Sequence, residues 1–183
     1  MLPLGHLAVA YLWYAFVAAV RTHQLPARLA LVPLAFGSQF PDLIDKPLAY
    51  FGVLTYGRSL AHSVFTFVFC SFAVWWLALR LRGRWEPVTL AERFRTVTPV
   101  AFVIGYASHL FGDSYQFLLV GDLWAARFLV YPVFPVPESP SDDIAPWIRL
   151  LEIYQSMGSH PQLNLILLAI AVFAGVRVRE HLS

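Results

Sequence analysis

The chain is short of charge. Of its 183 residues only 13% are Asp, Glu, Lys or Arg, while 58% are hydrophobic; soluble domains carry about 25% charged and about 45–50% apolar residues. That shortage excludes an ordinary water-soluble domain and points to a chain whose solvent is lipid. Cysteine is almost missing as well. Cys70 stands alone inside LAHSVFTFVFCSFAVWWLAL, so no intrachain disulfide can form and the thiol is read as a core or lipid-facing group. The opening stretch MLPLGHLAVAYLWYAFVAAV lacks the basic region of a cleavable signal peptide and reads as a retained helix. There is no internal repeat and no low-complexity tract, and the length suits a single domain over residues 1–183. The net charge of +2 would suggest nucleic acid in a soluble protein. Here the basic residues fall between apolar segments, so no nucleic-acid partner is expected and membrane topology explains them.

What the chain does have is long apolar runs. A membrane crossing needs roughly 20 apolar residues, with about 17 as the lower limit. Residues 4–20, 60–79, 97–120 and 162–178 meet that requirement. A fifth segment, 26–40, is short, and crosses only if its ends are packed in protein or the bilayer thins locally. The expected fold is therefore all-α, a polytopic membrane helix bundle of about five spans. Five crossings put nine of the 13 basic residues on one side with three acids, and the other eight acids opposite. The positive-inside rule then places the N-terminus outside, the arginine-rich connection Arg80 to Arg95 in the cytoplasm, and the C-terminus inside. The extracytoplasmic connection 121–161 mixes aromatics with prolines, so it cannot be one regular helix. Within it, Ser141 is expected to cap a short amphipathic helix whose Ile144, Trp147, Ile148 and Leu151 share a face, lying on the interface or over the ends of the spans.

Against this apolar background six polar residues stand out. His109 and Asp113 interrupt VIGYASHLFGDSYQFLLV four residues apart, a spacing that puts both on one helix face. Counting from Pro99 at ~1.5 Å per residue, they lie about 15 Å and about 21 Å up, in the outer half of the bilayer. His6 opens the first span, Asp42 and Asp45 close the second, and His62 opens the third. All six fall at the outer ends. Ionisable groups are costly at such depth unless something neutralises them, and a divalent cation would do so while keeping the imidazoles unprotonated. Mixed imidazole and carboxylate donors suit Zn²⁺ well, and Mn²⁺ or Fe²⁺ less distinctively. Six donors exceed the three protein ligands of a single catalytic zinc, so one or two ions are expected, with Asp45 alternatively a partner that orients a histidine. Arg58, beside His62, offers a forked donor for a phosphate or carboxylate, or else pairs with Asp42 or a lipid headgroup. Lys46 is expected to snorkel to the surface. Ser108 and Ser114 are expected to link helices, and Gly105 and Gly112 to let helices approach.

Four short motifs in order, GHLAVAY, FPDLIDKP, GRSLAHS and GYASHLFGDS, resemble the LexA-regulated, membrane-bound metal-dependent hydrolase family. The resemblance covers most of the chain through residue 120. It implies a helical site related to the zinc-dependent phospholipase C and P1 nuclease group, which cleave phosphoesters. Carried over by motif, His6, Asp42, His62, His109 and Asp113 would be metal ligands. Two departures stand out. The family often has Pro-Asp-x-Asp where this chain has Pro41-Asp42-Leu43-Ile44-Asp45, and many members have a histidine where this chain has Gly57.

The expected function is metal-dependent hydrolysis at the outer face of the membrane, with a lipid or another membrane-associated phosphoester as substrate. Asp45 or Asp42 would act as general base, and Arg58 would steady the phosphoryl charge. Two other classes compete. An ion pathway predicts polar residues continuing toward the cytoplasm, whereas FVAAV, FAVWWLAL and TPVAFVI are apolar. A purely structural metal site predicts a saturated ion with no position open to water.

Overall fold

The computed structural model describes residues 1–23, 25–81, 90–136, 144–155, 158, 160 and 162–182, with the backbone alone for residues 22 and 90–96. The regular elements among these residues are all helices, with no strand. Helix α1 covers Pro3–Val17 and runs on into a π-helical turn, Ala18–Thr22. A 3-10 turn at Arg28–Ala30 leads into α2, Leu31–Tyr50. Next come α3 (Val64–Arg80) and the 30-residue α4 (Leu90–Leu119). After a 3-10 turn at Ala125–Val130, α5 spans Pro146–Gln155 and α6 spans Leu163–Leu182. The 121–161 connection is thus broken, as its prolines require. Ser141 lies outside the described residues.

The segment read as a short span, 26–40, belongs to a longer helix. α2 passes through Pro41 and Pro47 and reaches Tyr50, so Asp42 and Asp45 lie inside a helix rather than at its close. Each proline removes a backbone donor, but buried helices tolerate this where neighbours supply partners for the freed groups. Next to the Pro41 break, the Ser38 carbonyl accepts a hydrogen bond from His109 Nδ1 at 2.7 Å.

α4 is the centre of the bundle. It packs most extensively on α2, and also on α1 and α3, while α6 lies on α1. The α2–α4 contact is a backbone contact. A Cβ on Gly37 would strike the Phe102 backbone, and one on Gly105 would strike the Leu34 carbonyl and the Ser38 amide. Small residues at a helix interface let backbones approach in this way. One apolar cluster joins Ala8, Tyr11, Leu34 and Ala101, and a second joins Phe102, Tyr106 and Leu110. Ser108 and Ser114, expected to link helices, instead return their hydroxyls to carbonyls of their own helix, Gly105 and Leu110; this local bonding is always within reach of a helical serine.

Polarity runs from inside to out. His6, Asp45, His62, His109 and Asp113 are buried, while Phe69 and Phe72 on α3 are each 70% exposed and Leu119 is 80% exposed. α3 has no buried residue at all. Large exposed apolar surface marks contact with something other than water. By length and composition, Pro3–Arg21 is apolar enough to cross a membrane, and Val64–Arg80 is an apolar helix of lesser length. α2 is less apolar because Asp42, Asp45 and Lys46 sit within it, and α6 because Arg177, Arg179 and Glu180 fall in its last turns.

Candidate metal centre

Three parts of the chain deliver four side chains to one place. α4 supplies His109 and Asp113 from adjacent turns, α2 supplies Asp42, and the segment between α2 and α3 supplies His62. One donor atom from each of these four residues lies within 4.8 Å of the others, a group able to hold a metal ion.

His62 needs the most support, because it lies on irregular backbone. Asp45, fully buried, provides it. Its Oδ1 accepts the Ala61 amide at 2.8 Å, and its Oδ2 accepts the amides of Ser59 at 2.8 Å and His62 at 3.1 Å. The same Oδ2 is 2.8 Å from His62 Nδ1. A carboxylate already accepting three amides is an acceptor toward the ring too, so His62 Nδ1 carries the proton. Ser63 then starts α3 as its N-cap, its Oγ accepting from the Phe65 amide and donating to the Tyr131 carbonyl at 2.6 Å. Tyr106 on α4 fastens the segment by donating to the Ala61 carbonyl.

The same logic fixes His109. Its Nδ1 faces the Ser38 carbonyl at 2.7 Å, which can only accept, so Nδ1 carries the proton here as well. With both rings neutral the Nε2 atoms are then bare, and they face each other at 3.2 Å. Asp42 Oδ1 joins them, 3.4 Å from His62 Nε2 and 3.7 Å from His109 Nε2. That oxygen is buried and makes no hydrogen bond among the described residues. Asp113 Oδ2 is 3.7 Å from His62 Nε2. Lone pairs converging without a proton between them repel, and a cation at their centre reverses the sign of that interaction. The spacing agrees. Donors at about 2.0–2.1 Å from a tetrahedral zinc are about 3.3 Å apart. Imidazoles whose other nitrogen is held by a carboxylate or a backbone carbonyl are also the usual form of metal-binding histidines. The residues present fit a divalent cation.

Cationic groups hold both carboxylates. Lys46 Nζ is 2.6 Å from Asp42 Oδ2, the Met1 amino group is 2.7 Å from Asp113 Oδ1, and Arg58 Nε is 2.9 Å from Asp113 Oδ2, the oxygen that also faces His62. Lys46 and Arg58 line a cavity of ≈ 970 Å³, together with Asp42. α5 forms part of its wall through Arg149, Leu150 and Ile153. The opposite face of α5, with Trp147 and Leu151, is exposed, and Trp147 packs edge-on against Tyr50 of α2.

Five of the six residues singled out in the sequence meet around the cluster, with different tasks. His6 stands beside the four-residue group. Its ring stacks on His109 at 3.8 Å and its Nε2 is 3.3 Å from Asp113 Oδ1, leaving Nδ1 buried without a partner among the described residues. Asp45 is occupied by the backbone and by the far side of the His62 ring, which is the orienting alternative rather than a ligand position. Arg58 pairs with Asp113, not with Asp42. Lys46 turns to Asp42 instead of snorkelling, because the i,i+4 spacing on α2 brings the two together. His160 lines the cavity and receives the Gln162 amide on Nδ1, apart from the cluster. Nothing in the sequence marks the Ser38 carbonyl or Tyr106: a carbonyl has no residue-type signature, and the Tyr106 contact depends on the fold of the 57–63 segment.

Fold and site together define a helical membrane protein that gathers histidines and aspartates into a group able to hold a metal ion. The chain belongs to the YdjM inner membrane protein family, which it matches over residues 1–180. That membership places it in the plasma membrane, in contact with lipid. It is consistent with the motif resemblance to the LexA-regulated membrane family and carries no statement about hydrolysis. No curated protein and no solved structure matches the chain.

Proposed function

We propose that this protein is a metal-dependent hydrolase of the plasma membrane, acting on a phosphoester with a lipid-like body from the extracytoplasmic side. One observation carries the reading: two imidazole nitrogens and a carboxylate oxygen with no hydrogen bond among the described residues converge beside a large cavity that Lys46 and Arg58 border. Asp42, His62, His109 and Asp113 would hold one ion, Zn²⁺ by the mixed donor set, with Mn²⁺ or Fe²⁺ as alternatives. A divalent cation there supplies Lewis acidity and brings the pKa of water toward about 7.

The chain's own residues do the rest. Asp45 and the Ser38 carbonyl keep both rings in the ligating tautomer. Arg58 and Lys46, 40% and 34% exposed, receive the substrate's anionic group and steady the charge that develops on it. Leu43, Phe117 and Leu150 on the cavity wall suit an apolar substrate body. In this reading residues 1–183 form one domain with five crossings, the N-terminus outside. The 20-residue lengths of α2 and α6, about 30 Å each, match the hydrocarbon thickness, and nine of 13 basic residues share one side.

A structural site is the second reading, favoured by the donor count: four protein donors fill a tetrahedral zinc. Turnover separates the two. Metal-loaded protein in detergent should hydrolyse phospholipid or phosphodiester substrates, and Arg58→Ala should lower the rate by about 100-fold while bound metal is retained. Full metal occupancy with no turnover of any phosphoester favours the structural reading and removes the hydrolase.

A further inference from the structure

A second cavity, ≈ 620 Å³, opens between α1 and α6 at the end of α1 remote from His6. Its walls are Phe16, Val172 and Val176, and Ala15 and Ala19 leave the space between them. His23 and Arg179 form its rim. Here α1 changes to a π-helical turn, Ala18–Thr22, and ends on His23 in the left-handed region at φ 53°. Single π-turns and non-glycine residues at positive φ concentrate where a structure serves a ligand.

The described charge at this end is mostly basic. Arg21, Arg28, Arg177 and Arg179 fall here, with Glu180 as the acid among the described side chains. Arg28 reaches that carboxylate at 2.9 Å and Arg177 at 2.7 Å, and Arg177 also donates to the Pro26 carbonyl. Arg21 and Arg179 make no ion pair among the described residues. The result is an apolar slot with the Arg179 guanidinium and the His23 ring on its rim, and with Arg21 two residues before His23.

We propose that this groove binds an anionic phospholipid, with an acyl chain along α1 and α6 and the phosphate at Arg179, Arg21 and His23. Basic pockets between membrane helices recognise anionic headgroups in this way, and an isolated apolar slot would show no headgroup preference. The site is separate from the metal centre and does not depend on hydrolysis.

Native mass spectrometry tests it, with the full chain in detergent and equimolar phosphatidylglycerol and phosphatidylcholine of matched chains. Each arginine near an anionic headgroup contributes roughly fivefold, so wild type should retain phosphatidylglycerol with a preference of roughly 30-fold. Arg179→Gln should leave roughly fivefold, and Arg21→Ala with Arg179→Ala should bring the preference close to one. Ala15→Trp, which fills the slot without altering charge, should lose retention of both lipids while metal content stays unchanged. Equal retention of the two lipids by wild type overturns the proposal. So does a preference that survives Arg179→Gln, retained lipid in Ala15→Trp, or a second copy of the chain in place of lipid.

Discussion

Asp45 governs the site without touching its centre. One carboxylate closes the 57–63 segment through three amide hydrogen bonds and, through His62 Nδ1, decides which nitrogen of that ring is bare. Hydrogen bonds to a charged group are worth about 1.5–3 kcal/mol each, and orienting partners of metal-bound histidines typically control 10–100-fold in affinity. Asp45→Asn keeps the shape but puts a donor in place of one of the two acceptor oxygens. It should weaken divalent-metal binding by roughly 10–100-fold in a competition titration, with helical content unchanged; unaltered affinity would mean the tautomer is set elsewhere. The four clustered residues are legible in the sequence because ionisable groups in apolar runs have few other uses. Asp45 is not legible in its role, since what distinguishes it from Asp42 is a set of backbone amides that only the folded segment presents. The Pro41-Asp42-Leu43-Ile44-Asp45 spacing does not tell them apart: on a helix, positions i and i+3 lie only about 60° apart around the axis and about 4.5 Å along it, so the two carboxylates share a face.

At the scale of elements, the α2–α4 contact sets the distance between Asp42 and the His109–Asp113 pair. Gly37 and Gly105 put backbone against backbone there, so any side chain at either position must push the helices apart. Gly105→Leu is expected to lower thermal stability by about 1–3 kcal/mol, the range for overpacking, and to reduce metal content with it, because Asp42 withdraws from the imidazoles. Loss of stability with full metal content would show that the two helices do not set the site. Four of the five long helices follow from apolar run length alone. α2 does not, because Pro41, Pro47 and three charged residues break the run, while burial beside α4 and the metal-binding group holds the backbone helical past them.

The whole molecule is turned inside out relative to a soluble protein: ionisable groups occupy its interior and phenylalanines its surface. Lipid is the solvent that makes this arrangement stable. The proposed five-crossing topology would place the end of α2 and the end of α6 on opposite sides of the membrane. In a Cys70→Ser background, Phe51→Cys should react with a membrane-impermeant maleimide in intact spheroplasts, whereas Leu182→Cys should react only after permeabilisation; both positions are exposed, at 68% and 84%. Reaction of both in intact spheroplasts would contradict the orientation read from the arginines. Charge asymmetry between loops can be read from sequence, whereas the cavity roofed by α5 depends on side chains from several elements far apart in the chain and has no counterpart in any single stretch of sequence.

The convergence of His62, His109, Asp42 and Asp113 on a cation is tested most directly by elemental analysis of the purified full chain. Wild type should carry about one divalent transition metal per chain, His109→Ala and Asp42→Ala should carry little, and Arg58→Ala should match wild type. Negligible metal in wild type, or equal metal in all four proteins, would contradict the account.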